Sequence, residues 1–325
     1  MKFRTEIIPN SQNQGISYSD HTIFMGSCFS ENIHNKMESV KLNVSGNPYG
    51  IVYNPISLAR QLKEITEIKT YSPDDLQFKN ERWFSYQHHS DYSYADPQEC
   101  CSAMNTSIQQ AFKQFQMASH LFITLGTAWA YSIKETGEWV SNCHKVPARN
   151  FDKSILEVTS MVDALSKAIK AIQKINPRIQ IVCSVSPVRH LSDGAFENQL
   201  SKGRLFEVIH QLRSTNNHIT YFNAYELIMD DLRDYRFFAN DLVHPSMQAI
   251  SYVWEKFGSV FFSTQTLKSI QKVEKLIQAS NHRPFHPKSE AHQKFIEKSI
   301  LEMEKLEREL TISFQTEKER IGLNA

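Results

Sequence analysis

The sequence has almost no net charge, no long apolar run and no nucleotide-binding signature, and each absence excludes a class of function. Its 325 residues carry a formal net charge of +1, which creates no overall field that favours nucleic acid or an anionic membrane. No stretch approaches the roughly 20 apolar residues of a membrane-spanning helix. Neither Gly-x-Gly-x-x-Gly nor Gly-x-x-x-x-Gly-Lys-Ser/Thr occurs. We therefore expect no nucleic-acid partner, no membrane partner and no cofactor.

The sequence also lacks the pattern of a secretory signal peptide. Residues 1–6 contain basic side chains, but no apolar run and no small-residue cleavage site follow them. The number of cysteines is odd, which indicates reduced thiols when there is no secretion signal. We therefore expect a cytoplasmic protein whose cysteines are free, namely Cys28, Cys100, Cys101, Cys143 and Cys183.

The chain alternates short apolar runs with helical patterns. Hydrophobic residues make up 41% and charged residues 22%, as in ordinary globular proteins. Strands are predicted at residues 22–25, 121–125, 179–185 and 219–222, and helices at 31–40, 55–65, 97–118, 155–175, 204–212 and 245–262. Asn54 followed by Pro55 is typical of a helix start, and the alternation of apolar and polar residues around Thr136-Gly137 predicts a hairpin. This order predicts an α/β fold with a mainly parallel sheet that is covered by helices on both faces.

The composition changes after Phe262. Leu267, Ile270 and Val273 mark one helix, and a more highly charged helix follows it. We therefore divide the chain into a main α/β domain over residues 1–262 and a helical extension over residues 263–325. The extension is expected to pack on the main domain or to form a homodimer contact.

Two candidate nucleophiles, Ser27 and Cys28, follow the first predicted strand. That strand ends at Gly26, and a helix is predicted shortly after it. Side chains in such a turn lie at the carboxyl edge of a sheet, where open α/β folds bind ligands. The N–H groups at the start of the next helix also favour a developing negative charge. The alternative is that Cys28 is a small buried hydrophobic residue.

Asp241 and His244 form a second candidate pair, just before the last helix of the main domain. A carboxylate three residues before a histidine can hold the imidazole in one tautomer and stabilise its cation. Such a pair supplies the base that a nucleophile requires. The alternative is an Asp that caps the helix and a His on the surface.

Three further parts of the sequence have more than one interpretation. Residues 71–96 are rich in aromatic and polar side chains, which fits a surface hairpin with one packed aromatic side or a wall of the substrate site. Cys143 and His144 could form a metal site with Cys28 or His88. Adjacent ligands lack the paired Cys-x-x-Cys spacing of structural zinc sites, so we predict no metal. His144 is instead expected to line the pocket. Arg189 is expected to bind a substrate carboxylate or phosphate, or to form a surface salt bridge.

Together these features resemble the SGNH/GDSL hydrolase superfamily, and more closely its GSCFA-domain branch. The motif that names this branch appears as Gly26-Ser27-Cys28-Phe29-Ser30, with Ser in place of the final Ala. The resemblance covers about residues 20–260 and implies a flavodoxin-like three-layer α/β/α sandwich with about five parallel strands. Its other segments, in the same order, are Leu125-Gly126-Thr127, Val140-Ser141-Asn142-Cys143-His144-Lys145, Ser184-Val185-Ser186-Pro187-Val188 and Asp241-Leu242-Val243-His244-Pro245-Ser246.

The resemblance implies catalytic roles for some residues directly and for others only with a choice of alignment. The terminal Asp and His of the superfamily correspond to Asp241 and His244. The first motif, Gly-Asp-Ser, places Cys28 at the nucleophile when its Gly is laid on Gly26, and shifting the alignment by one residue makes Ser27 the nucleophile instead. We prefer Cys28. The asparagine of the third motif, Gly-x-Asn, is missing after Gly126, so Asn142 is the candidate replacement as donor to the oxyanion.

These assignments support three functions. The first is an acyl-ester hydrolase of a small-molecule or glycan ester, in which His244 takes a proton from Cys28 or Ser27 and the oxyanion is held by backbone N–H groups with Gly126 and Asn142. The second is an acyltransferase that uses a thioester donor. The third is a non-catalytic binding protein that has kept the fold. The resemblance favours the hydrolase.

Overall fold

The computed structural model describes residues 4–9, 15–282, 285–286 and 289–323, and of Leu323 only the backbone. Residues 1–3, at which no signal peptide is expected to start, lie outside the described residues. The described chain falls into two compact units. The first contains described residues of Met1–Pro9, His21–His34 and Val44–Trp254, and the second those of Asn10–Asp20, Asn35–Asn43 and Glu255–Ala325.

The strands and helices alternate along most of the chain. The strands of the described residues are β1 (Thr22–Gly26), β2 (Val44–Gly46), β3 (Gln77–Lys79), β4 (Arg82–Phe84), β5 (His120–Leu125), β6 (Trp129–Ile133), β7 (Trp139–Val140), β8 (Phe151–Ile155), β9 (Gln180–Val185) and β10 (Ile219–Tyr221). The helices are α1 (Cys28–Ser39), α2 (Pro55–Thr66), α3 (Pro97–Met117), α4 (Val158–Ile175), α5 (Ala195–Thr215), α6 (Ala224–Glu226, continued by a π turn), α7 (Met247–Phe261), α8 (Thr264–Ser280), α9 (Glu290–Leu310) and α10 (Gln315–Leu323).

The centre of the first unit is a five-stranded sheet in the order β10-β9-β5-β1-β2, and every neighbouring pair is parallel. Counted along the chain, these five strands have the order 2-1-3-4-5, which is that of flavodoxin-like folds. Strand β2 is added on one side of β1, whereas β5, β9 and β10 are added on the other, so the strand order switches between β1 and β5. A crevice forms at the carboxyl ends of strands at such a switch point. The predicted fold class, a parallel sheet of about five strands flanked by helices, is confirmed.

One face of this sheet forms the main hydrophobic core. Ile23 and Met25 on β1 and Ile181 and Val185 on β9 are buried there against apolar side chains of α2, α3, α4 and α5. Phe24 and Phe122 belong to the opposite face, where their rings stack with centroids 4.6 Å apart. Both faces of the central strands are therefore apolar, as expected for a buried parallel sheet.

Local signals placed several elements correctly. Asn54 caps α2, because its Oδ1 accepts the Ser57 N–H at 2.8 Å and Pro55 occupies the first helical position. The hairpin around Thr136 and Gly137 is present as β6 and β7. Residues 71–96 contain the hairpin β3–β4 with a packed aromatic side.

Two predicted helix boundaries were too late, and two strands were not predicted. Helix α1 begins at Cys28 rather than residue 31, and α5 begins at Ala195 rather than residue 204. The first half of α5 buries polar side chains, which interrupt the apolar pattern used to recognise a helix. Strand β2 has only three residues, and the middle of β8 is exposed, so neither carries a clear apolar signal.

The second unit is helical. Its core includes Val273 of α8, Met303 of α9 and Phe314, which are fully buried. The Tyr18 hydroxyl donates to the Val40 carbonyl at 2.9 Å, and the Ile16 N–H donates to the Phe261 carbonyl at 2.7 Å. The predicted extension thus shares its unit with two segments from earlier in the chain. A homodimer through these helices stays a prediction.

No helix within the described residues is long and apolar enough to cross a bilayer. All five cysteines are free thiols, and Cys100, Cys101 and Cys183 are buried while Cys28 and Cys143 are partly exposed. Cys28 and Cys143 are therefore the thiols that a bound molecule can reach.

Candidate functional site

A cavity of about 590 Å³ lies at the carboxyl edge of the parallel sheet. Its wall combines the start of α1, the loops that follow β5 and β9, the small antiparallel sheet β6–β7–β8, and the turn that contains Asp241. This is the position at which flavodoxin-like sheets bind ligands. The lining residues are Cys28, Tyr53, Asn54, Thr127, Trp129, Tyr131, Val140, Ser141, Asn142, Cys143, Lys153, Val188, Arg189, His190, Leu191, Ser192, Asp193, Val243 and His244.

Gly26 allows β1 to turn directly into α1. Its φ is +127°, and a Cβ at this position would lie 2.1 Å from the Thr124 carbonyl oxygen. The Gly26 N–H donates to the Asn47 side-chain oxygen at 2.9 Å. Only glycine fits such a close approach of two backbones. The turn brings Cys28 to the first position of α1 at the cavity wall.

The two candidate nucleophiles have different surroundings. Ser27 is 1% exposed and its hydroxyl has no hydrogen-bond partner among the described residues, while its N–H donates to the Thr124 carbonyl at 3.1 Å. Cys28 is partly exposed and lines the cavity, whereas Ser27 does not. A substrate in the cavity would therefore meet the thiol of Cys28 rather than the hydroxyl of Ser27.

Opposing influences act on the Cys28 thiol. Burial raises its pKa, and the Glu31 carboxylate one turn further along α1 raises it as well. The backbone N–H groups of Cys28 and Phe29 and the ammonium of Lys202 act in the opposite direction. The net result is a raised pKa, so the thiol needs a base to deliver its thiolate at neutral pH.

Asp241 and His244 are in contact, as the spacing predicted. The His244 Nδ1 lies 2.7 Å from Asp241 Oδ2, and Asp241 Oδ1 accepts the N–H groups of Val243 and His244 at 2.9 Å each. Hydrogen bonds from the backbone of His244 and Val243, and then from the His244 ring, lower the pKa of Asp241 to about 2. Because Nδ1 is bonded to the carboxylate, Nε2 is the ring nitrogen left for proton transfer.

Arg189 supports the turn that contains this pair. Its guanidinium donates to the Leu242 carbonyl at 3.1 Å and lies over the ring of Phe238, with its centre 5.3 Å from the ring centroid. Leu242 has φ +58°, a conformation that leucine rarely adopts. Arg189 forms no salt bridge within the described residues. It also lines the cavity, so both a structural and a ligand-binding role fit its position.

The expected oxyanion donors are already engaged. The Gly126 N–H donates to the Tyr53 carbonyl at 2.9 Å, and the Thr127 N–H donates to the same oxygen at 3.0 Å. Asn142 lines the cavity, but its Oδ1 accepts the His144 N–H at 2.8 Å and its Nδ2 lies 3.5 Å from the Ser90 hydroxyl. The Gly126 N–H is therefore not free to bind an oxyanion. The Asn142 Nδ2 makes only a long hydrogen bond, to Ser90.

His144 is directed away from the cavity that it was predicted to line. Its ring stacks on that of Phe84, with the ring centroids 4.2 Å apart. Its Nε2 donates to the carbonyl oxygens of Ser85 and His88, each 3.0 Å away. The neighbouring Cys143 does line the cavity. No cluster of three or more His, Cys, Asp or Glu side chains suited to a metal ion occurs within the part of the chain that the structure describes.

The small antiparallel sheet supplies an aromatic wall that the sequence reading did not assign to the site. Trp129 and Tyr131 on β6 line the cavity, and the Lys153 ammonium on β8 lies 5.4 Å and 5.3 Å from their ring centroids. Lys153 also forms an ion pair with Asp193 in the loop after β9. This pairing connects the wall to the sheet edge.

Two further polar residues near the cavity were missed. The Tyr53 hydroxyl has its pKa raised by burial and then by Cys28 and Glu31. Lys202 on α5 is only 2% exposed, and its ammonium donates to the carbonyls of Gly126 and Ser186. Extending the helical spacing of Leu205, Val208 and Leu212 backwards would have placed Lys202 on the buried face of α5.

Comparison with known proteins gives two family matches. The GSCFA family matches residues 21–257, and the family described as GSCFA domain protein, C-terminal domain, matches residues 273–322. The comparison with curated proteins returned no match.

Solved structures show a weaker similarity. A carbohydrate esterase family 3 structure from Talaromyces cellulolyticus is 9% identical, with 79% of this chain and 99% of that chain covered and a TM-score of 0.37. A mutant acetyl esterase with acetate ion is 10% identical, with 79% and 99% covered and a TM-score of 0.36. An acetyl xylan esterase from the rumen bacterium Butyrivibrio proteoclasticus is 11% identical, with 74% and 63% covered and a TM-score of 0.38.

Proposed function

We propose that this chain, which belongs to the GSCFA family, is an SGNH-type ester hydrolase with Cys28 as nucleophile, His244 as base and Asp241 as the group that orients the base. The observation that carries the proposal is that Cys28 and His244 line one cavity while Asp241 holds His244 Nδ1 at 2.7 Å. A nucleophile, a base and an orienting carboxylate are the parts that acyl transfer requires.

The reaction uses these groups in two steps. His244 Nε2 takes the proton of the Cys28 thiol, the thiolate attacks the carbonyl carbon of the ester, and the alcohol leaves with the proton from His244. A water molecule then attacks the resulting thioester while His244 takes its proton. The acid is released, the thiol of Cys28 is restored, and no oxidant or further reactant is consumed.

The oxyanion is stabilised by donors at the start of α1 rather than by Gly126. The N–H groups of Cys28 and Phe29 act on the Cys28 sulfur, so they lie next to the atom that attacks the ester. The helix end adds positive electrostatic potential there. The Tyr53 hydroxyl, which has no hydrogen-bond partner among the described residues, is the side-chain donor that we assign in place of Asn142. Removing one such donor typically costs about 10²–10³ in rate.

The substrate is an acyl ester of a small molecule or a glycan. The cavity volume of about 590 Å³ lies within the usual range for small-ligand sites. Trp129 and Tyr131 provide flat apolar surface, and His190, Ser192 and Asp193 provide polar groups on the same cavity. This combination suits a ligand that has both an apolar face and hydroxyl groups.

The test is the release of 4-nitrophenol from 4-nitrophenyl acetate. Cys28→Ala and His244→Ala are expected to lose at least about 10³-fold in kcat/KM, since each removes a group without which the nucleophile is not formed. Cys143→Ala is the matched control, because Cys143 is the other partly exposed thiol on the same cavity. Activity that survives Cys28→Ala would refute this nucleophile.

A cysteine nucleophile also favours acyl transfer as a second function, because its thioester intermediate can pass the acyl group to an acceptor hydroxyl. Intact mass spectrometry after mixing with the aryl acetate separates the two. An acyl group that stays on Cys28 until an alcohol acceptor is added indicates a transferase. Prompt return to the unmodified mass in water indicates a hydrolase. A protein that shows neither turnover nor labelling fits a non-catalytic binding role.

A further inference from the structure

Lys202 is a buried lysine that has no acidic partner. It is 2% exposed, and its ammonium donates to the carbonyl oxygens of Gly126 at 2.6 Å and Ser186 at 2.7 Å. No carboxylate lies within ion-pair distance of it in the described chain. Lysine is almost never fully buried without a paired charge. Two neutral carbonyls stabilise an ammonium but leave its charge uncompensated, so a negative charge nearby would be favoured.

The sheet register shows what lies beside this charge. Gly26 on β1 pairs with Thr124 on β5, and Thr124 pairs with Ser184 on β9. Cys28, Gly126 and Ser186 each lie two residues beyond these paired positions. The Lys202 ammonium donates hydrogen bonds to the carbonyls of Gly126 and Ser186, and Cys28 is the first residue of α1. The ammonium is therefore located at the strand ends beside the candidate nucleophile.

The titratable groups around Cys28 differ in their effect on a negative sulfur. Glu31 on α1 faces Cys28 and opposes a negative sulfur, whereas the Tyr53 hydroxyl before α2 stays protonated, because burial and then Cys28 and Glu31 raise its pKa. Burial lowers the pKa of His190, in the loop after β9, to about 4, with Lys202 as the next cause, so His190 is neutral at pH 7. Burial lowers the pKa of Lys202 to about 7, so its ammonium and its free amine are both present at pH 7, and a negative charge on Cys28 raises that pKa. In its charged form Lys202 in turn lowers the pKa of Cys28, so a thiolate on Cys28 and an ammonium on Lys202 favour each other.

We propose that Lys202 is a positioning residue whose buried charge stabilises the Cys28 thiolate while its two hydrogen bonds fix the loops after β5 and β9. This rests on the proposed function in that Cys28 is taken as the nucleophile. The thiolate forms when the thiol proton leaves for His244, and the Lys202 ammonium offsets the negative charge that Glu31 and burial disfavour. No proton needs to leave Lys202 in this role.

The experiment measures the alkylation rate of Cys28 by iodoacetamide as a function of pH, with the modified peptide quantified by mass spectrometry. Lys202→Gln removes the charge but keeps N–H donors for the two carbonyls, and Lys202→Met removes both. The midpoint of the Cys28 profile is expected to rise by about one pH unit in both variants, the low end of the effect of a nearby opposite charge. Lys153→Gln removes a charge from the aromatic wall of the same cavity and is expected to move the midpoint less.

A purely structural role gives a different result. The proposal is overturned if Lys202→Gln leaves the midpoint unchanged and only Lys202→Met lowers the melting temperature, or if Lys153→Gln shifts the midpoint as far as Lys202→Gln. If neither Lys202 variant folds, the reciprocal measurement applies, because the interaction of two titrating groups is mutual. The Lys202 pKa, followed by the NMR shift of its Cε, must then be lower in Cys28→Ala than in the wild type, and an equal value overturns the proposal.

Alkylation needs no turnover, so this test does not depend on ester hydrolysis. A shifted midpoint in a protein that hydrolyses no ester would support the Lys202 role and count against the proposed activity. Normal ester hydrolysis by the wild type, with the same alkylation midpoint in Lys202→Gln, would support the proposed activity and count against the Lys202 role. If both hold, Lys202→Gln should also lower kcat/KM at pH 7 by about tenfold, which corresponds to one pH unit of thiolate formation.

Discussion

The Asp241 carboxylate contacts His244 in two ways, through the ring Nδ1 at 2.7 Å and through the backbone N–H at 2.9 Å. Both side chains are about half exposed, at 50% and 51%. The pair is therefore fixed by the geometry of one turn rather than by burial. Its contribution to stability is small at such exposure, and its importance lies in the orientation of the imidazole.

Asp241→Asn should lower kcat far more than it lowers stability. The amide can still accept backbone hydrogen bonds, but it no longer stabilises the charged imidazole, so we expect kcat to fall by about 10²–10⁴. Because the pKa of Asp241 is about 2, the wild-type carboxylate stays ionised above roughly pH 3. Steady-state kinetics between pH 5 and 9 check this, with Asp234→Asn as an exposed control in the preceding loop. Equal kcat values for the wild type and Asp241→Asn would contradict an orienting role.

Ser27→Ala should keep activity and should not lower stability. The Ser27 hydroxyl is buried and has no partner in the described chain, and an unsatisfied buried polar group costs about 1–3 kcal/mol. Ser30→Ala is the matched control, because the Ser30 hydroxyl donates to the Ser27 carbonyl at 2.7 Å and its loss is expected to cost about 1 kcal/mol. Urea unfolding and the aryl acetate assay measure both variants. Loss of turnover in Ser27→Ala at full stability would transfer the nucleophile role to Ser27.

Arg189→Met should reduce kcat by about tenfold with little change in KM for a neutral ester. The substitution removes the hydrogen bond to the Leu242 carbonyl and loosens the turn that positions His244. Methionine keeps an apolar contact with Phe238, which limits the effect on folding. Kinetics with a neutral and a carboxylate-bearing ester distinguish the two roles considered for Arg189. A rise in KM for the anionic ester alone, with kcat unchanged, would show that Arg189 binds substrate instead.

His88→Phe should make the protein more resistant to acid. His88 is fully buried, stacks on Tyr49 at 4.2 Å, and has both ring nitrogens unpaired among the described residues. Burial lowers its pKa to about 3, so the folded state holds the ring neutral while the unfolded chain protonates it near pH 6.5. Stability from this neutral ring is complete above pH 6.5 and decreases as pH falls towards 3, by about 3 kcal/mol at pH 4.

Urea unfolding at pH 7 and pH 4.5 measures this effect, with exposed His218→Gln as the control. The difference in unfolding free energy between the two pH values should shrink in His88→Phe and stay as in the wild type in His218→Gln. An unchanged difference in His88→Phe would mean that other groups govern the acid sensitivity.

The sequence by itself determined the features that depend on neighbours along the chain. The alternation of apolar runs and helical patterns predicted the parallel sheet, because burial on both faces requires nearly continuous apolar strands. Asn54 and Pro55 predicted the start of α2, and the spacing of Asp241 and His244 predicted their contact. Gly26, Ser27 and Cys28 indicated the turn, since a glycine after a short apolar run is a local signal.

Only the tertiary structure decided which of these side chains meet. Lys202 bonds to Gly126 across 76 residues of sequence, and nothing within either segment indicates that contact. The Gly126 N–H is used by Tyr53, and His144 is held by the carbonyls of Ser85 and His88, because separate segments pack there. Cys28 lines the cavity while the adjacent Ser27 is buried, and the sequence does not distinguish the two. Local sequence preferences determine where strands, turns and helices begin. The packing of distant segments determines how exposed each side chain is and which charges surround it.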